Sequence, residues 1–345
     1  MNKAHVAVAL SGGMDSSVAA FLLKRSGYSV EGVHAFLDDS AQSRRQAHLA
    51  EKLCTALGIR FRQIDLQEEF RHFVVDYFCQ EYRCGRTPNP CLACNRHIKF
   101  GLLMDNLLST GVDYMATGHY AKIEYQGLHY HLLKAKDVKK DQTYFLYMLN
   151  QEQLGHILFP LGNYSRDEIQ LIAKQNNLPL NIKSSQDICF ISSRERCNAF
   201  LSKRFPIEVG DVVDTTGKLL SHHRGIAFYT IGQRHGFGFS SSDALYVVKI
   251  DPENNTIVLG TKADLYSSNL VAIELSWISN PPSSPAMLTS KIRYRSPEVK
   301  SELSLTAHSA LVRFPSAQRA VTPGQAIVFY QDCVILGGGI IEKSS

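Results

Sequence analysis

The sequence predicts an α/β + β protein with a doubly wound parallel-sheet domain, a small β-rich central domain and a C-terminal β-barrel. In the first half, strand-like apolar runs alternate with amphipathic helical patterns, which is typical of βαβ units in a parallel sheet. After Phe205 the pattern changes to short β-like runs separated by Gly, Asp and Asn. A chain of 345 residues also exceeds one typical core. We therefore predict domains at 1–204, 205–265 and 266–345.

The composition is that of a folded protein rather than a disordered one, with 44% hydrophobic and 20% charged residues. No apolar run reaches the length of a membrane span, and residues 1–5 lead into the first strand without a signal-peptide core. We therefore expect a cytoplasmic protein, in which the eight cysteines are reduced and serve catalysis or metal binding. The net charge of +5 is compatible with a polyanionic partner.

The first strand ends in the turn Ser11-Gly12-Gly13, and a helix follows at once. Adjacent glycines let backbone N–H groups converge on a phosphate, and the helix N-terminus adds partial positive charge. Asp15 is placed to cap this helix or to hold a metal. Neither the dinucleotide fingerprint nor the Walker loop is present. The segment 11–16 resembles the SGGxDS loop of the ATP pyrophosphatases, and a plain strand-turn-helix corner is the alternative.

The remaining elements of the first half follow from periodicity and turn residues. We expect further strands at Ser29–Phe36, 59–64 and 112–117, and helices at 44–57, 66–82 and 98–108. A second small-residue turn follows the last of these strands. There Gly118 would admit the adenine or ribose of a nucleotide, and His119 would contact a substrate unless it is only a structural histidine.

Cysteines form the densest chemical signal, in a proline-stiffened loop that leads into an expected helix at Asn95. Cys91 and Cys94 form a CxxC pair, which is typical of half a zinc site, a redox pair, or a nucleophile with a neighbour. Cys79 and Cys84 would complete the zinc alternative. We expect the Cys94 thiolate to be favoured by the helix N-terminus and by nearby cations. Those cations are Arg96, His97 and Lys99.

A second cysteine, Cys189, lies in a strand-like run at the end of the segment 184–191. By itself it would be a buried structural cysteine. A capped helix expected at 165–176 would pack under this cysteine strand.

Five blocks together resemble the tRNA-specific 2-thiouridylase family, from Val6 to the end of the chain. They are the segments 11–16, 87–95, 116–121, 140–146 and 187–191. The resemblance implies that ATP activates oxygen 2 of the wobble uridine in the tRNA anticodon loop and that sulfur then replaces this oxygen. It makes Cys189 the persulfide carrier and Cys94 the partner nucleophile, with a Cys94–Cys189 disulfide to be reduced after each turnover.

The same resemblance implies the ligands and their binding residues. ATP with Mg²⁺ would be held by Ala9, Leu10, Ser11, Gly12, Gly13, Met14, Asp15, Ser16, Ala35 and Gly118. The tRNA would be held by Asn89, Pro90, Cys91, His119, Lys140, Asp141, Gln142, Arg293, Tyr294 and Gln325. Many family members carry aspartate where this chain has Cys91, so a carboxylate acid-base role is unavailable here. A persulfide-donating protein is the other expected partner, and we expect a monomer and no protein-bound metal.

The pattern of the second half of the sequence predicts β structure throughout. We expect a hairpin at 210–220, strands at 245–250 and 257–259, an RNA-facing or bending loop at 230–238, and barrel strands at 291–295, 303–305, 310–314 and 326–330. Two other function classes remain open at this point. One is an amidotransferase-type ligase with the same first loop, and the other is a zinc-stabilised RNA-binding module.

Overall fold

The computed structural model describes residues 3–179, 188–191, 197–237 and 244–344. In these ranges the chain forms three β-sheets, of five, four and eight strands. Short 3₁₀ turns occur at Thr143–Phe145, Ile226–Phe228 and Ala263–Leu265.

The first sheet has five parallel strands in the order β3-β2-β1-β4-β7. They are β1 (His5–Ala9), β2 (Ser29–Phe36), β3 (Arg60–Asp65), β4 (Tyr114–Ala116) and β7 (Ile157–Leu158). The strand order reverses at β1, and doubly wound sheets bind ligands beyond the carboxyl ends of the strands at such a point. The predicted parallel sheet is confirmed, and β2 has the predicted bounds.

Helices cover both faces of this sheet. One face carries α1 (Met14–Arg25), α2 (Ala41–Leu57) and α8 (Arg166–Gln175). The other carries α3 (Gln67–Phe70), a π-helical segment Arg71–Asp76, α4 (Tyr77–Arg83), α5 (Pro90–Ala93), a π-helix Cys94–Leu103, α6 (Met104–Ser109), α7 (Gln151–Gly155) and α9 (Cys197–Ser202).

The capped helix predicted at 165–176 forms as α8, with Ser165 and Glu168 in a capping box. Its predicted packing is wrong, because Ile169 and Ala173 join the core beneath α1. The neighbours of Cys189 instead pack into the core on the opposite face of the sheet. Closeness in sequence did not determine which face each segment covers.

The helix that carries Cys91 and Cys94, here called the cysteine helix, begins earlier than predicted. Asn89 is its N-cap, and the Asn89 Oδ1 accepts a hydrogen bond from the Cys91 N–H at 3.1 Å. Pro90 occupies the first helical position, where a missing N–H costs nothing. The helix continues through the π-helical segment, with a kink at Gly101, to Ser109. Cys94 therefore lies one turn inside the helix rather than at its start.

The strand-like run predicted around Cys189 is also wrong. Residues 188–191 form a turn, in which the Ile191 N–H donates to the Ile188 carbonyl at 3.3 Å. Residues 184–187 of the same predicted segment lie outside the described residues.

The central sheet has the order β10-β11-β8-β9. Its strands are β8 (Gly210–Asp214), β9 (Leu219–His223), β10 (Tyr246–Asp251) and β11 (Thr256–Gly260). They enclose a small core that includes Val212, Val247, Ile257 and Leu259. The two predicted strand pairs are confirmed, and residue 238 of the predicted loop lies outside the described residues.

Six strands of the third sheet close into a barrel, because β12 pairs with both β15 and β17. They are β12 (Tyr266–Trp277), β13 (Ala286–Lys291), β14 (Val299–Leu305), β15 (Ala310–Arg319), β16 (Ala326–Gln331) and β17 (Val334–Ser344). The strand predicted at 291–295 is wrong, because β13 ends there and the Ser296 N–H closes a turn onto the Arg293 carbonyl.

A hairpin from the first half extends the barrel sheet. Its strands, β5 (Lys122–Gln126) and β6 (His129–Leu133), pair with each other, and β6 pairs with β17 through Leu132 and Leu133. The sheet thereby joins the first and last parts of the chain.

Candidate active site

The Ser-Gly-Gly turn joins β1 to α1 at the carboxyl edge of the first sheet. Gly12 has a φ of +70°, and a Cβ there would lie 2.7 Å from the Gln46 carbonyl oxygen. Gly13 is the N-cap of α1 with an ordinary extended backbone. The Ser16 hydroxyl donates to the Gly13 carbonyl at 3.1 Å and accepts from the Ser11 N–H at 3.2 Å. With no side-chain cap, the first N–H groups of α1 are donors for an anion.

Asp15 neither caps the helix nor stands free for a metal. Its carboxylate forms an ion pair with Arg166 and accepts a hydrogen bond from the Tyr120 hydroxyl at 3.0 Å. The negative charge is thereby neutralised beside the loop, which favours an anionic ligand. In the described ranges no group of three or more His, Cys, Asp or Glu side chains is placed to hold a metal, and this includes the cysteines of the zinc alternative.

Gly118 packs against the start of α1. A Cβ there would lie 2.6 Å from the Ser16 nitrogen and 2.8 Å from the Asp15 carbonyl carbon. Only glycine lets the end of β4 approach the loop this closely. This approach to the backbone of α1 was not predicted, and the expected contact of Gly118 with a nucleotide stays a prediction.

His119 follows Gly118 and is held as a neutral imidazole. Its Nδ1 shares a hydrogen bond of 2.7 Å with the Thr117 hydroxyl, and its ring lies near those of Phe100 and Phe159. Burial lowers the pKa of His119 well below its usual value, and the charge of Lys99 lowers it further. His119 thus lies between the Ser-Gly-Gly loop and the cysteine helix.

Three thiols, those of Cys91, Cys94 and Cys189, lie near one another, and Lys99 lies near all three as well as near His119. A negative charge on Cys94 or Cys91 raises the pKa of Cys189, so the three sulfur atoms share one neighbourhood. Burial is the main cause at each: it raises the pKa of Cys94 to about 11 and that of Cys189 to about 12. Cys91 and Cys189 are exposed as residues, yet protein atoms crowd around both sulfur atoms, so desolvation dominates there too.

The expected thiolate at Cys94 is therefore wrong for this conformation. The residue is buried and lies past the first turn of its helix. Of the three cations named from sequence, only Lys99 lowers the pKa of Cys94, whereas Arg96 pairs with Glu274 at 3.6 Å. All eight cysteines are free thiols.

The turn that carries Cys189 is anchored at the same sheet edge. Phe190 makes edge-to-face contacts with Phe70 at 5.9 Å and Phe78 at 5.3 Å. The charge of Asp38, just past the end of β2, also raises the pKa of Cys189. Ala35, near the end of β2, is half-buried on this side of the sheet. The loop and the thiols therefore open onto one edge.

The segment 140–142, expected to face tRNA, is mostly internal. Asp141 is buried and accepts hydrogen bonds from the Ala135 N–H at 2.9 Å and the Thr143 hydroxyl at 2.6 Å. Burial raises the pKa of Asp141. Gln142 accepts a hydrogen bond from the Tyr120 N–H at 3.0 Å. Lys140 alone of the three is exposed.

Two of the barrel residues expected to bind tRNA, Arg293 and Tyr294, make different contacts. The Arg293 guanidinium donates to the Ala320 carbonyl at 2.9 Å and to the Thr322 hydroxyl. Tyr294 packs on Phe145 at 4.4 Å, and a negative charge on Cys91 contributes to its raised pKa, although burial is the larger cause. Tyr294 therefore lies near the thiols, whereas Arg293 is engaged within the barrel.

Three parts of the chain meet at Thr87, a contact that no sequence pattern indicated. The Thr87 N–H donates to the Pro323 carbonyl at 2.9 Å, and the Gln325 side chain donates to the Thr87 carbonyl at 2.7 Å. The Thr87 hydroxyl also donates to the Thr230 hydroxyl at 3.2 Å. The barrel and the central part thus hold the loop that leads to the cysteine helix.

Comparison with known protein families gives three successive matches. The model described as the tRNA methyl transferase HUP domain matches residues 4–193. The tRNA methyl transferase PRC-barrel domain matches residues 198–261, and the aminomethyltransferase β-barrel domain matches residues 267–341.

Several curated proteins resemble the whole chain. It is 44% identical to tRNA-specific 2-thiouridylase MnmA 1 of Syntrophus aciditrophicus, over 99% of this chain and 94% of that protein. It is 44% identical to tRNA-specific 2-thiouridylase MnmA 1 of Caldanaerobacter subterraneus, over 98% of each chain. It is 42% identical to tRNA-specific 2-thiouridylase MnmA of Clostridioides difficile, over 100% of this chain and 99% of that one. Within the described residues, no helix combines the length and apolarity needed to span a membrane.

Proposed function

The chain belongs to the tRNA-specific 2-thiouridylase family, and from this premise we propose that it catalyses the ATP-dependent 2-thiolation of the wobble uridine of tRNA. One observation carries the proposal. The anion-binding loop and three thiols open onto one sheet edge. Two adjacent residues link them, because Gly118 packs against the start of α1 and His119 lies near Lys99 of the cysteine helix. An enzyme that joins nucleotide activation to sulfur transfer needs both within reach of one base.

The first half of the chemistry is activation of the base. Uracil O2 is a poor leaving group, and ATP, when bound, supplies the adenylyl group that makes it a good one as pyrophosphate departs. The loop fits the phosphates, because a Cβ at Gly13 would meet the Ser11 hydroxyl at 3.3 Å and otherwise open space among the described residues. We propose that residues 9–16 hold the nucleotide together with Ala35, while Gly118 fixes the loop.

Mg²⁺ enters the proposal only as a counter-ion of the ATP phosphates. The Asp15 carboxylate is already paired with Arg166, so it is not a free ligand. The chain's own contribution is the row of N–H donors at the start of α1, which stabilise negative charge on the departing pyrophosphate.

The second half is sulfur transfer. We propose that a persulfide-donating protein places a sulfur atom on Cys189 and that the Cys94 thiolate then attacks the Cys189 sulfur. A Cys94–Cys189 bond forms, the persulfide bond breaks, and the released sulfur takes that electron pair to carbon 2 of the uracil. AMP leaves with the electrons of the carbon–oxygen bond. The remaining disulfide needs two electrons from an external thiol reductant.

We propose that tRNA is gripped from two sides. The base would be turned out towards the residues at the start of the cysteine helix, Asn89, Pro90 and Cys91, with His119 beside them. The exposed Lys140 and the barrel residues Arg293, Tyr294 and Gln325 would border the anticodon loop. In this arrangement the domains 1–204, 205–265 and 266–345 act as one monomer.

The proposal is tested by measuring 2-thiouridine in unfractionated tRNA by nucleoside mass spectrometry. Product is expected only when ATP and a persulfide donor are both present, and Cys94→Ser or Cys189→Ser should abolish it. Cys333→Ser is the matched control, because this exposed thiol lies in the turn between β16 and β17. Thiolation by the Cys94→Ser, Cys189→Ser double variant would refute the mechanism.

The same assay decides the role of Cys91. Its thiol is kept protonated by a raised pKa, which makes it a poor base. Full turnover in both Cys91→Ser and Cys91→Asp would remove any catalytic role for it, and a gain of rate in Cys91→Asp alone would show that a carboxylate serves better at this position.

A further inference from the structure

The helix that carries Cys94 has an unusual register where chemistry is expected. From Cys94 to Leu103 it is π-helical, and the Met104 N–H bonds to the Lys99 carbonyl five residues earlier. In an α-helix, residues five apart point about 140° away from each other. In a π-helix, whose hydrogen bonds join residues five apart and whose turns are wider, residues five apart lie on roughly the same side of the helix. The register therefore places Lys99 on the face of the helix that carries Cys94.

Lys99 is also a cation in a half-buried position. No carboxylate among the described residues pairs with it, and its side chain is only partly exposed. A half-buried ammonium without a counter-ion is costly, so such a group points to negative charge that forms only during function.

The neighbours of Lys99 are the groups that would carry that charge. Its charge lowers the pKa of each of the three thiols, Cys91, Cys94 and Cys189, against the upward effect of burial. Burial is the main cause of the lowered pKa of the nearby His119, and the charge of Lys99 lowers that pKa further. Asp38 faces Cys189 from the end of β2 and acts in the opposite direction.

A second cation on the same helix supplies the contrast. Arg96 lies two residues after Cys94 but pairs with Glu274 on the opposite side of the helix. There it lines a separate cavity of about 470 Å³ with His97 and Tyr77. The helix therefore directs one cation to the thiols and one away from them.

We propose that Lys99 is a positioning residue for sulfur transfer, whose ammonium stabilises the Cys94 thiolate and the negative charge that passes to the transferred sulfur. This inference rests on the proposed function. One negative charge is present throughout the exchange, first on Cys94 and then on the sulfur that leaves Cys189, so a single ammonium matches it at every stage. The π-helical register is what brings the ammonium to that path.

The test is the pH profile of alkylation at Cys94, measured by peptide mass spectrometry after brief iodoacetamide treatment of the full chain. In Lys99→Gln, alkylation of Cys94 at pH 8 should slow roughly tenfold, which is about one pKa unit, whereas Lys99→Arg should retain most of the rate. Arg96→Gln is the matched control and should stay within about twofold of wild type, because that charge faces away. Thermal unfolding of each variant separates a change in fold from a change in charge.

An unchanged profile in Lys99→Gln, or an equal slowing in Arg96→Gln, would overturn the inference. Its failure is distinguishable from failure of the proposed function. If wild-type protein thiolates tRNA while Lys99→Gln keeps the wild-type alkylation profile, only the role of Lys99 is lost. If wild-type protein forms no 2-thiouridine, the proposed function is lost whatever the alkylation rates.

Discussion

Two adjacent glycines of the first loop should respond in opposite ways to the same substitution. Gly12 has positive φ and its Cβ would press on the backbone of α2, whereas Gly13 has an extended backbone and a Cβ there would meet one side-chain hydroxyl. Gly12→Ala should therefore damage the fold. Gly13→Ala should leave the fold intact and obstruct the phosphates.

The magnitudes follow from the geometry. At Gly12, a left-handed backbone costs an alanine about 1–2 kcal/mol. The 2.7 Å approach to the Gln46 carbonyl adds an overpacking cost of about 1–3 kcal/mol, since a helix backbone cannot yield as a side chain can. The sum is a loss of about 2–5 kcal/mol in the free energy of unfolding. At Gly13, reduced chain entropy and a poorer N-cap act in opposite directions, so stability should stay within about 1 kcal/mol of wild type.

Urea unfolding gives the stabilities, and calorimetric titration with a non-hydrolysable ATP analogue gives the affinities. We expect Gly13→Ala to unfold like wild type and to bind at least tenfold more weakly, which corresponds to about 1.4 kcal/mol. Wild-type affinity in Gly13→Ala would refute the assignment of this loop to ATP. Wild-type stability in Gly12→Ala would refute the packing argument.

Two further predictions concern the cysteine helix. Gln325→Ala removes the 2.7 Å bond to the Thr87 carbonyl and should cost about 1 kcal/mol in urea unfolding. It should also speed proteolysis between Cys84 and Asn89. An unchanged cleavage rate would contradict the inference that the Gln325 bond to Thr87 holds this loop in place. With a pKa of about 11, Cys94 is only about 0.1% thiolate at pH 8, so its alkylation should be over about a hundredfold slower than that of a free cysteine and should rise tenfold per pH unit. Because burial raises the folded-state pKa above the unfolded value near 8.5, the folded protein holds more protons in that interval, and stability should fall as pH rises from about 8.5 to 11.

The sequence predicted those parts of the site whose structure depends on residues that are close together along the chain. The strand, glycine turn and helix from β1 into α1 were predictable because each needs only nearby residues, and β2 was predicted with its observed bounds. The start of the cysteine helix differs from the prediction because two nearby prolines indicate a stiff loop, whereas proline is equally suited to the first helical position that Pro90 occupies. Asn89, which directly precedes Pro90, is a favoured N-cap residue and was the signal in the sequence that a helix starts there.

Features that depend on residues far apart in the chain could not be predicted from local sequence patterns. Nothing in the residues around Asp15 indicates its pairing with Arg166, which lies 151 positions away. The direction of Lys99 depends on a π-helical register that tertiary packing must stabilise, since isolated propensities favour the α-helix. The buried state of Cys94 likewise depends on the core around it, which is why its thiolate was predicted in the wrong direction.

The position of Gln325 links the barrel to the loop that precedes the cysteine helix. The family resemblance assigns this residue to tRNA, yet here its amide is bonded to the Thr87 carbonyl at the base of the cysteine loop. An amide nitrogen that turns to tRNA must release that carbonyl. Among the described residues, the Thr87 N–H bond to Pro323 is then the hydrogen bond that still ties the Thr87 backbone to the barrel. Binding of tRNA and release of the cysteine helix would in this way draw on the same side chain. In the proposed mechanism Cys94 attacks Cys189, and the buried position of Cys94 means that its thiol must first become exposed. Such an exchange would let thiol exposure follow tRNA binding rather than precede it.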